Sequence, residues 1–198
     1  MSIHTPIATM IALKEWSIAI DALLAGEMTI LLRKGGIREP TGELDRLFQL
    51  DRVLLFPTLE HQQPELLKPD YANRVQPVPS GWHPDQITLR AWVEFKQILP
   101  VTSLERALDL EPFLIWNDAF IRDRWHWKPD RPLYAILLRT YCLSPAQTIP
   151  FMPAYRGCRS RVEISPEIAL HSSDPVIDDT AFKAIAATLS QILRDDEC

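Results

Sequence analysis

Val53 to Gln63 reads VLLFPTLEHQQ. The apolar residues Val53 to Phe56 run into Pro57, and within three positions the chain turns polar with Glu60, His61, Gln62 and Gln63. A short apolar run closed by a breaker is the pattern of a buried strand, here from about Arg52 to Phe56. The polar cluster then emerges at the strand's end, where a rigid sheet presents side chains to a ligand. The rest of the chain is read outward from this strand.

Upstream, Leu13, Trp16, Ile20, Leu23 and Leu24 recur at helical spacing and predict an amphipathic helix from Ile11 to Ala25, stopped by Gly26. Met28 to Arg33 (MTILLR) predicts a strand, ended by Lys34 and the pair Gly35 and Gly36. Ile37 to Leu47 has no period and reads as a loop. Downstream, Pro64 to Pro84 reads as an irregular, proline-rich excursion of a length that suits function more than connection. Ile87 to Phe95 alternates, with Ile87, Leu89, Ala91, Val93 and Phe95 on one face and Thr88, Arg90, Trp92, Glu94 and Lys96 on the other. Ser103 caps a short helix to about Leu110, and Pro112 opens a second running toward Trp127. Leu133 to Cys142 (LYAILLRTYC) predicts another strand, Ser144 to Tyr155 a loop, and Cys158 to Ile164 a last strand. A final helix over 179–194, capped by Asp178 or Asp179, carries the stripe Phe182, Ile185, Ala186, Leu189, Ile192 and Leu193. Helices do not alternate with strands. The expectation is therefore an α+β fold: a small mixed or antiparallel sheet, with a PUA-like barrel as one form of it, and flanking helices.

A chain of 198 residues with 24% charged residues and six tryptophans suits one soluble domain over 1–198 with a sizeable core. Seventeen prolines against six glycines predict short, sharply ended elements. The net charge of −5 gives no global attraction to nucleic acid. The charge is uneven, however. Residues 120–163 hold eight basic residues against three acidic ones, a surplus of five that leaves −10 on the remainder. Three cysteines (Cys142, Cys158 and Cys198) form neither a disulfide framework nor a metal motif, which suits a reducing compartment. No apolar run approaches the ~20 residues of a membrane span. A cytoplasmic protein with no membrane partner, no resident metal and no cofactor is expected.

Three constellations could carry chemistry. Glu60, His61 and Gln62 could form a hydrogen-bonding or general-base cluster, since histidine titrates near neutral pH and a carboxylate beside it fixes its tautomer. The same residues would equally open a helix. Asp85, Glu94 and Lys96 match the form of the PD-(D/E)xK nucleases, in which two carboxylates hold Mg²⁺ and a lysine orients water. They are also ordinary for a solvent-facing strand. Arg131, Arg139, Arg156, Arg159 and Arg161, with Trp125, Trp127, Tyr141 and Tyr155 interleaved, have the composition of a single-strand nucleic-acid surface: rings stack on bases and guanidinium groups hold phosphate. His83 and His126 stand alone. Cys158 sits between Gly157 and Arg159 without a histidine nearby.

Four segments resemble landmarks of an uncharacterised bacterial domain-of-unknown-function family: LKEWSIAIDALLAGEMTILLRKGGI from Leu13, LLFPTLEHQ from Leu54, WKPDRPLYAILLRTY from Trp127 and YRGCRSRVEI from Tyr155. The resemblance implies a link to restriction–modification. The chain departs from the family pattern at Arg161, where tryptophan is common. Gly26, Glu27, Thr29 and Arg33 further resemble the opening of ASCH and PUA-like domains, small barrels that bind RNA or modified bases. That likeness implies a place for Arg33 among the ligand-binding residues. Three functions follow as expectations: a non-catalytic nucleic-acid or modified-base binding domain, a Mg²⁺-dependent nuclease, and a protein-interaction module whose partner docks on the Pro64 to Pro84 loop.

Overall fold

A computed structural model describes residues 10–34, 50, 52–157, 159–165, 168, 170 and 174–194. The expected Gly35–Gly36 turn, the loop from Ile37 to Leu47, Cys158 and Cys198 lie outside the described residues. Six strands form one sheet in the order β2-β5-β4-β3-β1-β6. They are β1 (Met10–Trp16), β2 (Ile30–Lys34), β3 (Val53–Thr58), β4 (Gln86–Val101), β5 (Leu133–Pro150) and β6 (Arg161–Ile164). β1 runs parallel to β3, and every other pairing is antiparallel, so the sheet is mixed.

The apolar run of β3 is continuous because both of its faces are covered. Val53 and Leu55 point into one core, and Leu54 and Phe56 into a second on the other side; all four are at most 1% exposed. The larger core is packed by helices α1 (Ser17–Ala25), α4 (Asp118–His126) and α5 (Asp179–Ile192). Among the described residues two short helices, α2 (Pro69–Ala72) and α3 (Leu104–Leu108), lie between them in the chain. The sheet curls into a half-barrel. Arg33 of β2 accordingly forms an ion pair with Glu15 of β1, although these strands stand first and fifth in the sheet. The α+β class follows, and among the described residues no strand joins β2 to β6.

Several elements differ from their sequence expectation. The helix expected from Ile11 divides at Trp16: residues up to it form β1, and the helix begins at Ser17. Leu13 pairs with Leu55 on one side and Arg161 on the other, so this segment is a ladder strand between two neighbours. The alternation of Ile87 to Phe95 does not keep one face. A bulge between Leu89 and Ala91 shifts the register from Gln147 to Cys142. Ile87 and Leu89 join the smaller core, while Ala91 and Val93 join the larger. Trp92, expected on the polar face, is therefore buried. β5 continues through most of the expected loop, because Gln147 to Pro150 pair with Gln86 to Leu89. The expected helix from Pro112 to Trp127 is interrupted. Lys68 N–H donates to Ile115 O at 2.9 Å and Asn117 N–H to Leu66 O at 3.0 Å, so residues 115–117 are tied to the chain near Leu67. Asn117 Oδ1 then caps α4 by accepting from Phe120 N–H at 3.2 Å.

A cleft at the end of the central strand

β3 ends at Thr58, and the next four residues separate the predicted cluster into three directions. His61 takes a left-handed backbone (φ 60°) and is exposed. Gln62 turns inward, is 6% exposed, and accepts a hydrogen bond from Ile18 N–H at 3.2 Å. It thereby supplies the N-terminal cap that α1 lacks from its own sequence. Glu60 lines a cleft of about 300 Å³, bounded also by the start of β4, the loop from Trp82 to Pro84, and residues near Phe151 and Arg156. The general-base cluster of Glu60 with His61 is thus not formed, and Gln62 is structural.

Aromatic rings build this cleft. Phe56 meets Tyr155 edge-on at 5.3 Å, and Tyr155 meets Phe151 edge-on at 6.0 Å. Phe151 stacks on His83 at 3.9 Å and 11°. Trp82 stands at the rim with 43% of its surface exposed. Three cations line the same space with different partners. Lys14 Nζ donates to Tyr155 O at 2.8 Å and Gly157 O at 2.9 Å, and Arg90 pairs with Asp21. Arg156 Nη2 lies 2.8 Å from His83 Nε2. A guanidinium only donates, so His83 Nε2 accepts and the ring proton sits on Nδ1, 3.3 Å from Pro84 O. Among the described residues no carboxylate pairs with Arg156. Its remaining donors are available to an anion.

The loop over the cleft is set by one turn. Trp82 N–H donates to Pro79 O at 3.0 Å, and Gly81 holds φ +81°. That positive φ is where a type II turn favours glycine. The turn aims Gly81 N–H at Glu60 Oε1 and leaves Trp82 on the rim.

The other predicted residues fall elsewhere. Arg139 is 6% exposed, ion-paired with Asp179 and 4.5 Å from the centre of the Phe182 ring, so it fastens α5 to the sheet and is closed to a ligand. Tyr141 stacks on Trp92 at 3.9 Å and donates to Glu94 Oε2 at 2.9 Å. Lys96 Nζ lies 2.6 Å from the same oxygen. Burial resists the Glu94 charge, but these two partners, with Arg52 nearby, outweigh it and hold the carboxyl below its usual range. Burial and the bond to Glu94 push the Tyr141 phenol up. Asp85 lies just before β4, and Glu94 is eight residues into that strand. Nine residues of extended chain at about 3.3 Å each span roughly 30 Å. The nuclease reading needs both carboxylates on one metal, and the fold does not bring them together. Among the described residues no group of three His, Cys, Asp or Glu side chains could hold a metal ion.

The basic segment is also divided. Arg131 is exposed in the turn before β5, at the far end of the β4–β5 pair from the cleft. Arg159 is exposed and Arg161 opens β6; neither lines the cleft. Arg33 is held by Glu15. Trp82, His83 and Phe151 are site residues that the sequence does not mark. The pairing of Gln86 with Pro150 brings them together across more than sixty intervening residues, and no local pattern announces that.

A half-barrel α+β domain with an aromatic cleft at its strand ends is the class these features define. The chain belongs to the family described as domain of unknown function (DUF1802), whose model matches residues 12–188. No curated protein and no solved structure matches the chain. The likeness to ASCH and PUA-like domains rests on its few sequence residues, which have structural uses here. Gly26 closes α1 at φ 73°, and Glu27 accepts from Tyr71 OH at 2.9 Å. Among the described residues no helix is long and apolar enough to cross a membrane.

Proposed function

We propose that this domain binds single-stranded nucleic acid by taking one unpaired base into the cleft beside β3, without chemistry on it. The observation that carries this reading is the exposed Trp82 at the rim of an aromatic-walled cleft, next to a guanidinium that has no carboxylate partner among the described residues. The volume, about 300 Å³, sits at the small end of ligand pockets, a size for a base or nucleoside. Stacking on an aromatic ring is tolerant of sequence and contributes about 1–3 kcal/mol per base. Arg156 then holds a neighbouring phosphate. With a net charge of −5, only local contacts favour the polyanion, so few phosphates are engaged. Through the family resemblance, a modified base in a restriction–modification setting is the natural extension of this reading.

Fluorescence anisotropy with labelled single-stranded and duplex DNA and RNA tests it, across a salt series and with or without Mg²⁺. Single strands should bind better than duplex, with a log–log salt slope of only about −1 to −2, since each single-strand phosphate contributes about −0.7. No binding to any strand at low salt would sink the reading. Mg²⁺-dependent cleavage would revive the nuclease.

A further inference from the structure

We infer, resting on that reading, that Glu60 makes the cleft selective for guanine. Among the described residues Glu60 is the one carboxylate lining the cleft, and Gly81 N–H fixes its Oε1. A carboxylate is acceptor-only and offers about four lone-pair sites on two oxygens, so one backbone bond leaves room for two more donors. Guanine alone among the common bases presents two adjacent donors on its pairing edge, N1–H and the N2 amine. Adenine and cytosine set an acceptor nitrogen beside a single amine, and uracil flanks its one N–H with two carbonyls. Each of those edges would point a lone pair at the Glu60 carboxylate. The three cations of the lining are engaged elsewhere: Arg90 pairs with Asp21, Lys14 donates to two backbone carbonyls, and Arg156 leans on His83 Nε2 and faces the strand's phosphate.

A site built to receive particular hydrogen bonds rejects analogues that lack them, because its polar group is left unpaired. The experiment uses the full chain and short oligouridylates carrying one central guanosine, inosine, adenosine or cytidine. The guanosine strand should bind about tenfold or more tighter than the adenosine strand. Inosine, which keeps N1–H and lacks the amine, should fall between them. Glu60→Gln should erase the preference. Its amide oxygen still accepts from Gly81 N–H, and its NH₂ then meets guanine's donors with a donor; an unchanged melting curve confirms that the loop and fold persist. Equal binding of the guanosine and adenosine strands overturns guanine selection while leaving the cleft reading intact. A preference that survives in Glu60→Gln overturns the role of Glu60. If none of the strands binds, both this inference and the reading beneath it fall.

Discussion

The two ends of the β4–β5 pair carry the same kinds of residue and arrange them to opposite effect. At the end where Val101 meets Leu133, Trp127 is 48% exposed, but Lys128 Nζ lies 4.2 Å from its ring centre and the Arg124 guanidinium 5.5 Å. Those cations satisfy the ring's electron-rich face and take the position a base would need. At the other end Trp82 is similarly exposed, yet among the described residues no cation covers it. Arg156 instead leans on the His83 ring nitrogen, with donors to spare. A tryptophan with basic residues is therefore not in itself a nucleic-acid surface. What matters is whether the ring and the charge are already spent on each other.

The arginines offer the largest test of this contrast. Arg139 and Arg156 lie in one basic stretch of sequence, but the first is buried under α5 and the second stands at the cleft. Arg139→Ala should cost about 2 kcal/mol of stability, mostly through lost packing on Phe182 and the lost bond to Asp179. A shift in denaturant midpoint would report it. Affinity for single-stranded RNA, measured on the folded fraction, should be unchanged. Arg156→Ala should do the reverse, weakening binding and flattening the salt slope with little change in the midpoint. The tryptophans come next. Trp82→Ala should weaken single-strand binding about tenfold, which is the low end of one stacking contact, whereas Trp127→Ala should leave it within about twofold. Equal losses from both variants would break the comparison.

What the sequence disclosed about these regions depended on how far each feature reached along the chain. β3 could be read from four residues, because a strand covered on both faces is uniformly apolar. Asp178 capping α5 was equally local, its carboxylate accepting from Thr180 and Ala181 N–H at 2.8 and 2.9 Å. The apolar residues of β1 satisfy either period, and strand is chosen over helix by β3 and β6 on its flanks. The cleft was half legible. Glu60 followed from its place after the strand. The aromatic wall arises from pairing between β4 and β5, and Arg139 could not be told from Arg156 by composition because burial under α5 separates them.

Gln62 gives a smaller and cleaner effect, since it belongs to the predicted site by sequence and to the scaffold by structure. Gln62→Ala removes the acceptor for Ile18 N–H at the start of α1. A lost cap costs about 1 kcal/mol. Thermal or chemical denaturation should show that loss, with nucleic-acid affinity nearly unchanged because Gln62 does not line the cleft. The contrast with its neighbour is direct: Glu60→Gln, two positions away, should leave the midpoint alone and alter what binds.

Glu94 supplies the subtlest effect, and it separates scaffold chemistry from site chemistry by pH. Its folded carboxyl titrates below its usual range because Lys96 and Tyr141 bond the ionised form strongly enough to overcome burial. A carboxyl depressed in the folded state adds stability that is fully present above its ordinary range. That contribution drains away as the pH falls through the ordinary range to the lowered value. Stability of the native protein should therefore decline in acid more steeply than that of Glu94→Gln, which cannot titrate there, and the two curves should converge as the pH drops. Tyr141 acts at the opposite extreme. Its raised phenol adds stability below its ordinary range that is lost as the pH rises through the elevated value. Nucleic-acid affinity on the folded fraction should be the same for the native protein and Glu94→Gln at neutral pH. A loss of binding in that variant would move the site from the cleft to the face of β4 that carries Glu94, Lys96 and Tyr141.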